Sequence, residues 1–253
     1  MNIEREINWL LEEKYQGHLT KKAQKDIAKL KKGFPLDYLI GQREFLGAVI
    51  DLHNHPLIPR TETEFWTEKL IQKLKKHPHK KMSALDIFAG SGCIGIALLK
   101  NIPWVKVDFA EQNKKFIQQI ETSLRLNHIP KQRYNLILSN VFQKINHQYD
   151  LIIANPPYLS HKRKNLIQKE VLKFEPSSAL FAKENGFFFI QQFIQQVKNY
   201  LYDQGVFYME FDSCQKKAIE QLLKKSGLNN YHFQKDQYRR WRWVEVIYSK
   251  NTP

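Results

Sequence analysis

The chain has 253 residues, 42% hydrophobic and 13% aromatic, which is enough apolar material for a substantial core and excludes wholesale disorder. Lysine and arginine exceed aspartate and glutamate by 15, and a charge of +15 either attracts polyanions such as RNA or only keeps a lysine-rich surface solvated. Cys93 and Cys214 are the only cysteines, so we expect no disulfide framework and no metal site. The sequence shows no apolar leader, and we therefore predict a cytoplasmic protein without a membrane anchor.

The first 60 residues divide at the Gly33-Phe34-Pro35 break. Apolar residues at helical spacing predict a short helical N-terminal segment over 1–34. Residues 35–60 alternate apolar and polar side chains around Gly47, which predicts a linker hairpin. A helix is expected from Thr61, with Thr61 as its cap and Glu64 three residues later, and it opens a larger domain over 61–253.

Strand and helix patterns alternate through this larger domain. The predicted strands are 82–89, 104–110, 134–139, 150–154, 206–211, 231–234 and 243–248. Helices are predicted after the first strand through residue 99, and over 113–126, 187–200 and 215–225. This order predicts an α/β, Rossmann-like fold with a seven-stranded, mostly parallel sheet and an antiparallel hairpin at one edge.

A glycine-rich turn, in the segment ALDIFAGSGCIGIALL, follows the first of these strands. Gly90, Gly92 and Gly95 let the backbone pass close to a ligand at the start of the next helix. Such a turn alone also suits a dinucleotide. Asp86, four residues before Gly90, could approach the ammonium group of S-adenosylmethionine, and this favours that ligand.

Acidic and amide side chains at the next strand ends complete the predicted cofactor site. Glu111 ends the second strand, where its carboxylate could take both ribose hydroxyls, and Asp108 is the alternative for that role. Asn140 follows the third strand, where it could read an adenine edge. The predicted cofactor-binding residues are Asp86, Phe88, Ala89, Gly90, Gly92, Cys93, Glu111, Gln112, Asn140, Val141 and Asn155.

The fourth strand breaks into Asn155-Pro156-Pro157-Tyr158, the predicted catalytic residues. Two prolines stop the strand and stiffen the loop. The Asn155 amide oxygen and the Pro156 carbonyl oxygen can then both accept hydrogen bonds from one NH2 group. An amide or aryl amine nitrogen is a poor nucleophile, so two fixed acceptors would orient it and stabilise the charge that develops during methyl transfer. Tyr158 would pack over the planar target group.

Enzymes that act on adenine, on guanine in RNA and on glutamine amides share this tetrapeptide, and the flanking segments distinguish them. The segments PLDYLIGQREFLG, PLIPRTETE, FEPSSALFAKENG, GVFYMEFDSCQ and KDQYRRWRWVEV, spread over 35–246, resemble the protein-(glutamine-N5) methyltransferases of the HemK/PrmC family. That family modifies the Gly-Gly-Gln loop of peptide chain release factors. The N-terminal helical segment here is shorter than the family's usual one.

The resemblance implies a class I methyltransferase that converts S-adenosylmethionine to S-adenosylhomocysteine, acts as a monomer and has a release factor as its protein partner. It also implies that Glu175 and Pro176 brace the loop after the catalytic strand, while the charged rim residues either touch substrate or form interdomain ion pairs. The substrate-binding residues it implies are Phe45, Arg60, Glu62, Glu64, Asn155, Pro156, Tyr158 and Glu175.

Three alternatives remain open at this point. The first is an RNA or DNA amino-methyltransferase acting on adenine N6 or guanine N2, for which Lys162-Arg163-Lys164 beside the catalytic loop could meet phosphate or could only be solvated. The second is glutamine methylation of a ribosomal protein. The third is a methyltransferase-like subunit that binds partners without catalysis.

Overall fold

The computed structural model describes residues 3–77 and 81–250. Residues 1–2 of the predicted N-terminal segment and residues 251–253 of the predicted larger domain lie outside the described residues. Helices α1 (Ile3–Tyr15), α2 (Lys21–Leu30) and α3 (Leu36–Ile40) form the N-terminal helical segment. They meet around a small apolar cluster of Leu10, Leu30 and Leu39.

A two-stranded hairpin follows, made of β1 (Gln42–Phe45) and β2 (Ala48–Asp51). Leu46 and Gly47 turn the chain with φ values of 51° and 78°, the left-handed backbone that tight hairpins use. The hairpin is shorter than predicted, because residues 36–40 form a helix that buries Tyr38 and Leu39.

The predicted larger domain opens with α4 (Thr61–Lys75). Thr61 is the first helical residue and Arg60 occupies the cap position without a capping side chain, so the predicted cap at Thr61 was wrong. The Glu64 carboxylate is engaged elsewhere, since it accepts a hydrogen bond from the Leu46 N–H in the hairpin turn at 3.2 Å. Helix α4 is therefore tied to the hairpin that precedes it.

The domain is built on the predicted seven-stranded sheet, with strand order β5-β4-β3-β6-β7-β9-β8. All neighbours are parallel except β9, which runs antiparallel to both β7 and β8, and this confirms the predicted edge hairpin. The elements up to the fourth strand of this sheet are β3 (Met82–Ile87), α5 (Cys93–Asn101), β4 (Val105–Glu111), α6 (Lys114–Leu126), β5 (Tyr134–Leu138) and β6 (Tyr149–Ala154).

The chain after β6 contains short helices for which the sequence carried no prediction. They are α7 (Lys169–Phe174), α8 (Ser177–Leu180) and α9 (Lys183–Gly186), preceded by a 3-10 turn at His161–Leu166. The remaining elements are α10 (Phe188–Gln196), β7 (Leu201–Glu210), α11 (Lys216–Lys225), β8 (Tyr231–Lys235) and β9 (Trp241–Ile247). Strand β7 starts five residues earlier than predicted, because Leu201 already pairs with Tyr149 before a bulge shifts the register.

Hydrophobic residues on the two faces of the sheet belong to two separate clusters. Ala84 joins the cluster under α4, α5 and the hairpin, whereas its neighbour Leu85 joins the one under α10 and α11, as the alternation of a pleated strand requires. Burying each large aliphatic side chain contributes about 1.5–3 kcal/mol. Among the described residues, none of the helices has the length and apolar character needed to cross a membrane.

The hairpin is anchored to α6 by side chains. Asn127, just after α6, accepts from the Val49 N–H at 2.9 Å and donates to the Val49 carbonyl at 2.7 Å. The Ser123 hydroxyl accepts from the Asp51 N–H at 2.9 Å. The backbone edge of β2 that faces away from β1 is thereby hydrogen-bonded to the larger domain.

Candidate functional site

A cleft of about 880 Å³ opens at the carboxyl ends of the parallel strands. Its walls come from the segments that follow β3, β4, β5 and β6, together with residues 57–60 before α4. Carboxyl ends of neighbouring parallel strands lie at one edge of a sheet, where α/β proteins bind their ligands. Nine of the predicted cofactor-binding residues line this cleft: Phe88, Ala89, Gly90, Cys93, Glu111, Gln112, Asn140, Val141 and Asn155.

The glycine-rich turn forms the floor of the cleft. A side chain at Gly90 would meet only one atom within 4 Å, so the open face of the turn is free for a ligand. Gly92 does not line the cleft; with φ at 76°, its Cα lies so close to Ile120 that a Cβ would come within 2.8 Å of that side chain. Gly92 therefore allows the turn to pack on α6.

Asp86 lies behind this turn. It is 1% exposed, and its Oδ2 atom accepts a hydrogen bond from the Gly95 N–H at 2.9 Å. It does not line the cleft, because its side chain is on the face of β3 that α5 covers. The structure therefore does not bring Asp86 to the place where it was predicted to meet a ligand ammonium. Burial raises the pKa of this carboxyl from 3.8 to about 8.

Glu111 is the acidic side chain that does reach the cleft. Its carboxylate accepts hydrogen bonds from the N–H groups of Gly90 and Asn113 at 2.9 and 2.8 Å. Burial raises the pKa of Glu111, although these backbone donors oppose the shift. Asp108, the alternative, lies away from the cleft and accepts from Asn135 at 2.7 Å and Tyr149 at 2.9 Å.

Two bulky cleft residues have left-handed backbone. Phe88 has φ 61° and Val141 has φ 49°. Such conformations cost about 1–3 kcal/mol and persist where the surroundings enforce them, often at functional sites. The Ser139 hydroxyl donates to the Val141 carbonyl at 2.8 Å, and the Phe88 ring packs edge-on against Phe189 at 5.6 Å between centroids.

The catalytic loop predicted from the sequence separates two cavities. Asn155 and Pro157 line the cleft, whereas Tyr158 lines a second hollow of about 530 Å³ together with Arg163 and Gln215. Pro156 is buried between them. Asn155 therefore faces the cleft, and only the end of the loop, at Tyr158, reaches the hollow.

The end of this loop is fixed by close backbone packing. Gly186, at φ 88°, lies so near Tyr158 that a Cβ there would be 2.1 Å from the Tyr158 carbonyl oxygen. The Gln215 side chain donates to that carbonyl at 3.0 Å and to the Gly186 carbonyl at 3.2 Å. The Tyr158 hydroxyl donates to Glu210 at 2.9 Å, and burial followed by the nearby Glu210 charge raises the pKa of Tyr158 well above its ordinary value.

The predicted substrate rim is only partly at the site. Arg60 lines the cleft and pairs with the buried Glu175 at 2.6 Å, and Glu175 also accepts from the Ile58 N–H at 3.2 Å. Glu62 accepts a hydrogen bond from the hydroxyl of its neighbour Thr61, and Glu64 accepts one from the Leu46 N–H in the hairpin turn. Glu62, Glu64 and Glu175 do not line the cleft, so the structure does not bring these three predicted substrate-binding residues to it.

Phe45 was predicted to contact substrate, and this prediction was wrong. Its side chain is 1% exposed and belongs to the hydrophobic cluster beneath α4 and α5. A ring buried there stabilises the attachment of the hairpin but cannot touch a ligand.

Sequence reasoning did not identify many of the cleft residues. They are Leu57, Ile58, Pro59, Thr63, Ser91, Ile94, Ala110, Asn113, Phe116, Ser139, Ser178, Ala179 and Phe189. Most are apolar or small, so no chemical motif distinguishes them. Ser178 and Ala179 lie inside the segment FEPSSALFAKENG, which was singled out for resemblance alone.

Comparison with known proteins gives concordant matches. Residues 59–186, about half of the chain, match the family described as Methyltransferase small domain. The chain is 32% identical over 224 residues to the release factor glutamine methyltransferase of Flavobacterium psychrophilum, which covers 87% of this chain and 78% of that protein. It is 34% identical over 215 residues to the protein of the same name from Streptococcus pneumoniae, covering 84% and 74%.

Solved structures share the fold at low identity. The 16S rRNA N2 methyltransferase of T. thermophilus, in complex with AdoMet and guanosine, superimposes with a TM-score of 0.59 at 17% identity, covering 81% of this chain and 49% of that one. This likeness concerns the fold alone.

Proposed function

The chain belongs to the release factor glutamine methyltransferases, and we propose that it transfers a methyl group from S-adenosylmethionine to a glutamine side-chain amide in the Gly-Gly-Gln loop of a peptide chain release factor. The observation that carries the proposal is the position of Asn155, which lies on the stiff loop after β6 and lines the cleft. The cofactor would occupy the cleft, and the acceptor glutamine would meet it there at Asn155.

The cleft residues fit S-adenosylmethionine. Glu111 offers a carboxylate that could accept from two ribose hydroxyls, and the open face of Gly90 leaves room for close approach. Phe116 and Val141 provide apolar wall suited to an adenine ring, with Asn140 beside them. When bound, the cofactor supplies a methyl group on a sulfonium centre.

The loop residues would handle the acceptor. The Asn155 Oδ1 atom and the Pro156 carbonyl oxygen would accept one N–H each from the glutamine amide, which orients its nitrogen and stabilises the positive charge that develops on it. The protons of that nitrogen become acidic as the new bond forms, so no strong base is needed. Tyr158, fixed by Gln215 and Gly186, would hold the substrate side of the loop in place.

Other properties stay predictions. They are a cytoplasmic location, a monomeric state and contact of the basic surface with RNA. Arg163 in the Lys162-Arg163-Lys164 run pairs with Asp212 at 3.0 Å, so part of that run is already engaged within the protein.

The proposal is tested by incubating the enzyme with methyl-labelled S-adenosylmethionine and a purified release factor. We expect label on the factor and none when its Gly-Gly-Gln glutamine is replaced. Asn155→Ala should lower kcat by about 100-fold or more, the scale for losing a group that stabilises transition-state charge. Asn54→Ala, which removes an exposed amide bonded to the Lys115 carbonyl, is the matched control and should retain activity. Label on RNA but not on the factor would refute the proposal.

A further inference from the structure

A buried carboxylate lies directly behind the catalytic loop. Glu210, the last residue of β7, is 1% exposed. Its Oε2 atom accepts from the Thr63 hydroxyl and from the Trp66 indole N–H, both at 2.7 Å. Its Oε1 atom accepts from the Tyr158 hydroxyl at 2.9 Å. One side chain thus joins the first turns of α4 to the loop.

This carboxylate determines which way the Thr63 hydroxyl points. A hydroxyl has a single proton, and the Thr63 hydroxyl donates it to Glu210 Oε2 at 2.7 Å. The hydroxyl then has only lone pairs left for its other neighbour. That neighbour is the Asn155 amide, whose Nδ2 atom lies 3.4 Å from Thr63 Oγ1.

The orientation of the Asn155 amide follows from this. A lone pair attracts the NH2 end of an amide and repels its oxygen. With Nδ2 turned toward Thr63, the Oδ1 atom of Asn155 is directed away from the Thr63 hydroxyl. The two amide orientations have nearly the same shape, so packing cannot choose between them and hydrogen bonding must.

We propose that Glu210 and Thr63 are positioning residues that fix the Asn155 amide with its oxygen, rather than its NH2 group, toward the acceptor glutamine. The proposal rests on the proposed function and deepens it. A reversed Asn155 would present N–H donors to an acceptor NH2 group that itself carries only donors. Two donors face to face would push the acceptor nitrogen out of line.

Two substitutions at Thr63 separate positioning from packing. Thr63→Val preserves the branched shape and removes the hydroxyl, whereas Thr63→Ser retains the hydroxyl and removes the methyl group. Positioning predicts that the Ser enzyme retains a kcat at least about tenfold above that of the Val enzyme, because misplaced reacting groups cost up to about 100-fold. A purely structural role predicts the reverse order, and that order would overturn the proposal.

A second pair of variants tests Glu210 as part of the same unit. The amide of Glu210→Gln can donate as well as accept, which frees the Thr63 proton to turn toward Asn155, and kcat should fall. The double variant of Glu210→Gln with Thr63→Val should be no slower than the slower single variant, as for residues that act as one unit.

Thr67→Val is the matched control: Thr67 is also buried in α4, and its hydroxyl donates to the Thr63 carbonyl at 2.7 Å. This control should retain kcat; a loss equal to that of Thr63→Val would point to packing instead.

The inference can also be tested without a substrate, which separates its failure from a failure of the proposed function. In an NMR spectrum of deuterated, methyl-protonated enzyme, comparison with Asn155→Ala identifies the Asn155 side-chain NH2 signal. We expect a nuclear Overhauser contact between that NH2 group and the Thr63 methyl group, and its loss in Glu210→Gln. An NH2 group without contact to Thr63 in the wild-type enzyme would overturn the proposal, whatever protein or nucleic acid the enzyme methylates.

Discussion

Arg60 and Glu175, 115 residues apart in the chain, form an ion pair of 2.6 Å that joins the segment before α4 to the end of α7. The Glu175 side chain is only 2% exposed, while that of Arg60 is 33% exposed on the wall of the cleft. Because Glu175 also accepts from the Ile58 N–H, one carboxylate holds two residues of the segment before α4. The resemblance implied that Glu175 braces the loop after the catalytic strand, and that role stays a prediction; the contacts of Glu175 are with the segment before α4.

Replacing Arg60 by Met should therefore lower the free energy of unfolding by about 3 kcal/mol, the cost of leaving a buried charge without its partner. Urea unfolding measures this. Arg43→Met is the matched control, since Arg43 pairs with Asp37 at 3.2 Å where both side chains are about 30% exposed. That exposed pair should contribute less than about 1 kcal/mol. Equal losses in the two variants would contradict the bracing role.

Glu111 should dominate cofactor affinity. Glu111→Gln replaces one carboxylate oxygen by an NH2 group. That group faces the N–H of Gly90 or of Asn113, or the ligand hydroxyls, so at least one favourable hydrogen bond is replaced by a repulsive contact. We expect the affinity for S-adenosylhomocysteine, measured by calorimetry, to fall about 10- to 100-fold. Asp108→Asn changes a carboxylate outside the cleft and should alter the affinity little. The opposite ranking would show that Asp108 holds the ribose.

Asp86 should make stability depend on pH. Its pKa is about 8 in the folded protein against an ordinary 3.8, chiefly because of burial. Between these pH values the folded state retains a proton that the unfolded chain has released, so the stabilisation present at low pH is lost as pH rises. The amide in Asp86→Asn does not titrate and can still accept from the Gly95 N–H.

The stability of Asp86→Asn relative to the wild type should accordingly increase with pH between about 4 and 8, by at most about 1.4 kcal/mol per pH unit. Urea unfolding of both proteins at several pH values gives this difference, and the other titrating groups cancel. A difference that does not change with pH would mean that the carboxyl is ionised throughout.

Gly186→Ala should damage both folding and activity. Its new Cβ would lie 2.1 Å from the Tyr158 carbonyl oxygen, a distance that forces the catalytic loop to move. Gly227→Ala introduces the same methyl group at a similar φ of 72°, where no atom lies within 4 Å. The control should lose only about 1–2 kcal/mol of stability and retain kcat, since it suffers backbone strain alone. If both variants retain kcat, the position of Tyr158 is not important for catalysis.

Much of the fold could be predicted because its signals are local. The glycine-rich turn and the Asn155–Tyr158 loop each follow a strand, and the carboxyl ends of parallel strands must lie together. That rule alone predicts Gly90, Glu111, Asn140 and Asn155 at one edge of the sheet, where the structure brings them.

The remainder depended on side-chain direction, which sequence spacing does not fix. Asp86 and Glu111 are both acids near strand ends, yet α5 covers Asp86, whereas Glu111 lines the cleft. Phe45 lies in a segment whose apolar and polar residues alternate as in a surface strand, but the larger domain covers the face of the hairpin on which its side chain lies. Glu210 lies within GVFYMEFDSCQ, one of the segments that resemble the family, but nothing in the sequence marked it as a site residue. Its importance appears only when three distant donors converge on it.

The attachment of the hairpin through Asn127 and Ser123 has a consequence for self-association. Small sheets with an open edge readily accept a strand from another molecule, which is a route to aggregation. Here the outward backbone groups of Val49 and the N–H of Asp51 are already taken by side chains of the same molecule. No foreign strand can extend the hairpin from that side without first displacing them.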